Sequence, residues 1–326
     1  MLFSHWMMAG LVLAATPIAA EPPRIAADAI PAAAIDRTTT TDEIALGRDR
    51  GGRMTVAVSV SGKGPYRFLV DTGSERTVIS RQLADRLRLD NGRNAIVHSV
   101  FGATGINTVY IPDLQVSGSR MSVVDAPALD ATHIGADGML GTDSLRSQRV
   151  LFDFKAQTMS ISPSNRPVEK VDGDTIVVRA KSRNGRLIFT QARIAGQKVT
   201  VIVDTGSQVT IGNLALQKRL SRRNIAVAPQ PISIETVTGE KFNASIARLN
   251  DLELGGIKID DMAIAFADAH IFKQLDLKDR PAILLGMNAM RAFDRVSIDF
   301  ETRKIRFVLP GTSMRQGVRL AAAGGI

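Results

Sequence analysis

From Met54 onward the chain alternates. Met54, Val56, Val58 and Val60 fall on one face of an extended segment, and this period of two predicts a strand with one buried side. A Gly62-Lys63-Gly64-Pro65 turn follows and Tyr66 to Val70 returns, so the pattern reads as a hairpin. The same sequence of signals recurs later, with an apolar strand from Leu187 to Ile194, a turn at Ala195-Gly196-Gln197 and a return from Val199 to Val203. Behind each hairpin a short helix is predicted. Ser80 and Asn213 are good N-cap residues, and Leu83 with Leu87, like Leu216 with Leu220, stand four apart on one helical face.

These matches keep one offset. Asp71 and Asp204, Thr77 and Thr210, Ser80 and Asn213, Leu83 and Leu216, and Leu87 and Leu220 are each separated by 133 positions. Further on, "GMLGTDSL" from Gly138 parallels "ILLGMNAM" from Ile283, and "VLFDFKAQTMSI" from Val150 parallels "VSIDFETRKIRF" from Val296. The offset there has grown to 145 or 146; the halves therefore differ by a loop insertion of about a dozen residues, which chain entropy tolerates. Internal duplication follows, with a linker near Ser162 to Asp174, where Pro163, Pro167 and Gly173 interrupt the pattern. The expected organisation is an N-terminal half over residues 43–164, a C-terminal half over 165–309, an Ala-, Pro- and Thr-rich flexible linker over 21–42 and a flexible tail over 310–326.

Composition adds a compartment and removes several chemistries. At 326 residues and 44% apolar content the chain can bury a sizeable core. Its first twenty residues carry no Lys, Arg, Asp or Glu and end in small residues before Glu21. That is the shape of a signal peptide cleaved after Ala20; the alternative is an uncleaved anchor, which is the one expected route to a membrane. The expected location is outside the cytoplasm, in a bacterial periplasm or secreted, or anchored facing the periplasm. With no Cys, disulfide and thiolate chemistry are excluded. The net charge of +9 includes clusters at Lys218 to Arg223 and Arg303 to Arg306, read as solvated faces because no aromatic residues interleave with them as a nucleic-acid groove needs. His98, His133 and His270 show no metal-ligand spacing, and no Gly-x-Ser-x-Gly elbow is present. Neither a metal nor a cofactor is expected.

The chemistry concentrates in "FLVDTGSERTVIS" from Phe68 and "VIVDTGSQVTIGN" from Val201. One Asp-Thr-Gly-Ser is a common turn. Two, at matched positions of a repeat and each behind a buried strand, place Asp71 and Asp204 together if the halves fold face to face. Two carboxylates in contact cannot both ionise, so the pair holds one proton and can work as general acid and base on a shared water. In this picture Gly73 and Gly206 permit close approach of the loops, Thr72 and Thr205 bond across to the opposite loop, and Ser74 and Ser207 donate to the outer carboxylate oxygens. The copies diverge just past the site, Glu75-Arg76 against Gln208-Val209, a difference expected to distinguish the two ends of a substrate. Asp153 and Asp299, in Phe-Asp-Phe and Ile-Asp-Phe strands, are read as polar-face strand residues rather than a second dyad.

At these residues the chain resembles the aspartic peptidases of the pepsin and retropepsin superfamily, whose motif is an apolar pair before Asp-Thr/Ser-Gly-Thr/Ser/Ala and, later in each half, an apolar-apolar-Gly tripeptide. Here these are Leu69-Val70-Asp71-Thr72-Gly73-Ser74 with Met139-Leu140-Gly141, and Ile202-Val203-Asp204-Thr205-Gly206-Ser207 with Leu284-Leu285-Gly286. The resemblance covers about residues 43–309. It implies an all-β fold, β-rich with short helices, of bilobal pseudo-dimeric type with an active cleft between duplicated halves. It also implies a peptide or protein substrate, an aspartic endopeptidase using Asp71 and Asp204, and a monomer that is its own pseudo-dimer. Each half is shorter than a pepsin lobe and closer to a retropepsin subunit. "SVFGATGINT" from Ser99 and "ETVTGEKF" from Glu235 stand as paired mobile hairpins, with Phe101, Gly102, Gly105, Thr238 and Gly239 as flap or substrate-binding residues. The reading from another class is a non-catalytic protein that binds peptides or envelope ligands on the same fold.

Overall fold

The structure is a computed structural model that describes residues 4–7, 11–12, 24–27, 47–48, 54–100, 102–116, 119–168, 174–223, 225 and 230–311. Most of the expected signal segment, linker and tail lies outside these residues, and so does Phe101.

Alternation builds the first hairpin as expected. In Met54–Val60 the side chains of Val56, Val58 and Val60 are buried, and the strand pairs antiparallel with Lys63–Val70. The turn is tighter than the sequence suggests, Ser61-Gly62 alone, with positive φ at both residues, as two-residue hairpin turns require. The second hairpin, Arg186–Ile194 with Gln197–Val203, turns at Ala195-Gly196. In both halves the return strand runs beside the later apolar tripeptide. Phe68–Val70 lies parallel to Gly138–Leu140, and Thr200–Val203 parallel to Ala282–Leu285. Each of these crossing strands is flanked on its other side, antiparallel, by the strand after the Asp loop, through Val78–Ile79 and Ile211–Gly212. Central strands buried on both faces read as continuous apolar runs, which is why Phe68-Leu69-Val70 and Val201-Ile202-Val203 lack alternation.

The predicted helices follow. Arg81–Leu87 is capped by Ser80, whose Oγ accepts from Leu83 N at 3.2 Å, and Leu214–Ser221 by Asn213, whose Oδ1 accepts from Leu216 N at 2.9 Å. Leu83, Leu216 and Leu220 face the core.

What the repeat does not reveal is that the halves share a sheet. Its order is Thr158–Pro163, Gln148–Asp153, Arg295–Asp299, Lys304–Val308 and Thr175–Arg179, so the "VLFDF" strand of one half pairs antiparallel with the "VSIDF" strand of the other. In this register Arg149 stands opposite Asp299, and Asp153 opposite Arg295. Arg149 grips Asp299 through Nε and Nη2 at 3.1 and 3.0 Å, and Arg295 Nε donates to Asp153. The reading of Asp153 and Asp299 as polar-face residues is thereby corrected: both are buried, and both are ion-paired across the two halves. Short N-terminal stretches add further edge pairings, Ser4–Met7 along Ala95–His98, Leu11–Val12 along Glu235-Thr236 and Arg24–Ala27 along Ile257–Asp260. One large apolar cluster spans both halves and the shared sheet, through Phe68, Phe152 and Phe307 among others. The architecture is β-rich with short helices, and its two duplicated halves fit a pseudo-dimeric aspartic-protease fold.

Candidate active site

Asp71 and Asp204 stand where the return strand of each hairpin ends. The backbone N–H of Asp71 donates to Leu140 O at 3.0 Å and that of Asp204 to Leu285 O at 3.1 Å, so the crossing strand fixes the height of each carboxylate. Both side chains are 0% exposed. Behind them the threonines interlock. Thr72 Oγ1 donates to Val203 O at 2.9 Å and accepts from Thr205 N at 3.0 Å, while Thr205 Oγ1 donates to Val70 O at 2.7 Å and accepts from Thr72 N at 3.1 Å. Four reciprocal buried bonds between the halves set the register of the two loops, as expected for Thr72 and Thr205.

The glycine at 206 is a matter of space. A Cβ there would sit 2.4 Å from Asp71 Cγ, closer than real carbon atoms approach, so only glycine lets the second loop lie against the first carboxyl. Gly73 N donates to Asp71 Oδ1 at 2.8 Å; Gly206 N and Ser207 N donate to Asp204 Oδ1 at 3.0 and 3.2 Å. The outer oxygens, Asp71 Oδ2 and Asp204 Oδ2, are buried with no partner. The expectation for the serine side chains is corrected here: Ser74 Oγ donates to Arg76 O at 2.7 Å and Ser207 Oγ to Val209 O at 2.6 Å. Each hydroxyl closes its own turn, so neither reaches a carboxylate.

Burial raises both aspartates above the ordinary carboxylate value, and their surroundings separate them. Asp71 is held well above it, by burial first and by the charge of Asp204 second. Asp204 is raised by burial to about 6, with Arg186 and the N–H groups of Gly206 and Ser207 pulling the other way. Asp71 is driven higher than Asp204, which keeps more of the stabilising N–H and guanidinium neighbours. One proton therefore resides on Asp71 while Asp204 carries the charge.

Beyond the tetrapeptides each loop is braced alike. Thr77 Oγ1 donates to Asp143 Oδ1 at 2.8 Å and accepts from Gly141 N at 3.1 Å; Thr210 Oγ1 donates to Asn288 Oδ1 at 2.9 Å and accepts from Gly286 N at 3.2 Å. A Cβ on Gly141 or Gly286 would strike the backbone of residue 76 or 209 at 2.3 or 2.6 Å. The sequence reading missed Asp143 and Asn288, though their place two residues after each glycine is visible in the repeat.

The two hairpins expected as flaps are present, as Ala95–His98 with Ala103–Ile106 and as Gln230–Thr236 with Lys241–Leu249. Their tips meet, with Thr104 Oγ1 donating to Glu240 Oε1 at 3.2 Å and Gly102 lying where a Cβ would be 3.0 Å from Glu240 Oε2. Each tip also docks on the opposite half. Ile271 N, in helix His270–Gln274, donates to Val100 O at 3.3 Å, and Gly239, with φ of +83°, leaves room for the His133 ring of helix Ala131–Ile134. Thr238 Oγ1 is turned into the tip, 2.7 Å from Thr236 Oγ1. Gly105 pairs with Ile96 within the hairpin, with open space where a Cβ would stand. Histidines that are remote in sequence are brought together: the His98 and His270 rings stack at 5.3 Å between centroids. Among the described residues no group of three or more His, Asp or Glu side chains is arranged to hold a metal ion.

A further residue went unread. Arg186, 0% exposed, crosses from the C-terminal half to donate Nη1 to Glu75 Oε1 at 2.6 Å. The repeat holds its signal, because Arg186 precedes Asp204 by the same 18 positions that separate Arg53 from Asp71. Comparison with curated proteins gave no match. A protein-family model described as aspartyl protease matches residues 56–144 and again 190–289, more than half of the chain, and each match contains one Asp loop, one brace and one crossing strand. By those two matches and the paired, buried aspartates between them, the chain belongs to the aspartyl protease family.

Proposed function

We propose that the protein is an endopeptidase that hydrolyses peptide bonds with a water activated by Asp71 and Asp204. One observation carries the reading: two carboxyls share one buried site, with their outer oxygens facing no protein partner and their proton affinities driven apart. In the step this arrangement supports, Asp204 accepts a proton from the water as its oxygen attacks the peptide carbonyl carbon. Asp71 gives its proton to the carbonyl oxygen, forming a neutral gem-diol. On collapse Asp204 gives its proton to the departing nitrogen and Asp71 regains one from a gem-diol hydroxyl. The C–N bond breaks, leaving a new acid, a new amine and the dyad in its starting state. Neither a covalent enzyme intermediate nor an outside reductant is needed. The paired hairpins would close over an extended peptide and keep bulk water from the dyad.

The first twenty residues support an exported protein acting in an oxidising compartment, and N-terminal sequencing of the mature chain tests cleavage after Ala20. The function itself is tested with a mixed peptide library. Wild type cuts it, and Asp71→Asn and Asp204→Asn each lower kcat/KM by about a thousandfold or more, since removing either charge state halts the proton relay. Binding without cleavage in the wild type at every pH from acidic to neutral would replace this reading with that of a peptide-binding protein.

A further inference from the structure

Buried polar atoms without a hydrogen-bond partner gather around the dyad. Asp71 Oδ2, Asp204 Oδ2, Gln208 Nε2 and both Nε and Nη2 of Arg186 belong to the two loops or to the arginine that reaches them. Folded proteins leave few such atoms, so a group of them needs a physical account. The aspartate oxygens have one in the proposed reaction. Arg186 does not.

Arg186 is the largest fully buried side chain among the described residues, and its placement is determined by the backbone before it. Gly185, at φ of +74°, seats the turn against the other half, where a Cβ would come within 2.5 Å of Thr142 Oγ1. From that turn the guanidinium extends to Glu75, using Nη1 alone, with a second contact from Nη1 to Asn184 O at 3.3 Å. The two donors left over are Nε–H and Nη2–H. They are adjacent and parallel, and together they form the side edge of the guanidinium, the fork that meets both oxygens of a carboxylate. Water can satisfy such donors, whereas a carboxylate satisfies them and the positive charge as well. That charge reaches the dyad, where it lowers the proton affinity of both aspartates. On the opposite loop the residue matching Glu75 is Gln208, which is neutral, so the ion pair with Arg186 distinguishes one Asp loop from the other.

We propose that Arg186 is a specificity-determining residue whose Nε–Nη2 edge receives a carboxylate of the bound peptide on the Glu75 side of the dyad. The proposal rests on the peptide-cleft reading above. It makes the favoured substrates acidic, through an Asp or Glu side chain or a chain-terminal carboxylate.

The test uses peptide pairs that differ only by Glu against Gln at each position, and pairs with free against amidated C termini, near pH 6 where carboxylates are ionised. Cleavage is read on the wild type, and binding of the same peptides is read on full-length Asp204→Asn. At one position the acid is favoured about tenfold or more over its amide; which set of pairs shows the preference tells a side chain from a terminus. Arg186→Gln abolishes the preference, Arg186→Lys keeps part of it, and Glu75→Gln, which releases Arg186 from its partner, strengthens it. Equal treatment of every pair by the wild type overturns the proposal, as does a preference that survives in a folded Arg186→Gln. Should Arg186→Gln fail to fold, an unchanged preference in Glu75→Gln overturns it equally. Cleavage without preference removes this proposal and spares the peptidase; preference in binding without cleavage does the reverse.

Discussion

At the scale of single residues the dyad sets two opposing pH dependences. Asp204 is the group that must be ionised and Asp71 the group that must hold a proton, so activity needs pH above the value at which Asp204 ionises, about 6. We expect kcat/KM to rise through that pH and to fall only when Asp71, held well above the ordinary range by burial and by the Asp204 charge, gives up its proton. A pH–rate profile that is flat or falling from about pH 4 to neutrality would contradict this assignment. Stability runs the other way. Between the ordinary value of 3.8 and about 6 the folded protein holds a proton at Asp204 that the unfolded chain has released. Stability at this site is therefore complete below 3.8, declines as pH rises to about 6, and stays lower above it. Thermal melts should show Asp204→Asn more stable than wild type at neutral pH, with the gap closing near pH 4. Both aspartates were legible as a pair because the repeat aligned them. Their different proton affinities were not, because Arg186 and the burial come from segments that meet only after folding.

At the scale of elements, hairpins, helices and crossing strands were legible because each is a local pattern: alternation of Val56, Val58 and Val60, capping at Ser80 and Asn213, apolar pairs before Gly141 and Gly286. The interlock of the two Asp loops depends on hydroxyls whose partners are 131 to 135 residues away. Thr205→Val keeps the shape of the side chain but leaves Val70 O and Thr72 N buried without partners. A loss of about 2 to 4 kcal/mol in unfolding free energy is expected from chemical denaturation, together with reduced activity as the loops lose register. Gly206→Ala should eliminate activity, since its Cβ would sit 2.4 Å from Asp71 Cγ. The serine hydroxyls were misassigned because each closes its own turn on a carbonyl two residues on, a local bond that competes with reaching outward.

For the whole molecule, the shared sheet decides how the halves are joined. Arg149 with Asp299 and Arg295 with Asp153 are one ion pair used twice, once in each direction across the junction, as in an interface between identical subunits. Arg149 is nearly enclosed and also donates to Ser164 O at 2.8 Å and Arg166 O at 3.1 Å. Removing Asp299 strands a buried guanidinium, so Asp299→Ala should cost about 3 to 5 kcal/mol, whereas Arg149→Met with Asp299→Leu together should recover most of it; paired urea melts separate the two outcomes. Because one chain fills both sides of the junction, sedimentation should find a monomer, and a stable dimer would show that some other surface associates.

The sequence by itself determined the duplication, the strand and helix signals within each copy and the two Asp-Thr-Gly-Ser loops, all of them short-range patterns that a repeat makes visible twice. Only the tertiary structure decided that Asp153 and Asp299 tie the halves together, that His98 meets His270, and that Arg186 stands behind Glu75. Those relations depend on distance in space between residues far apart in the chain. No local periodicity encodes them, and the burial that gives them their energy exists only once both halves have closed on each other.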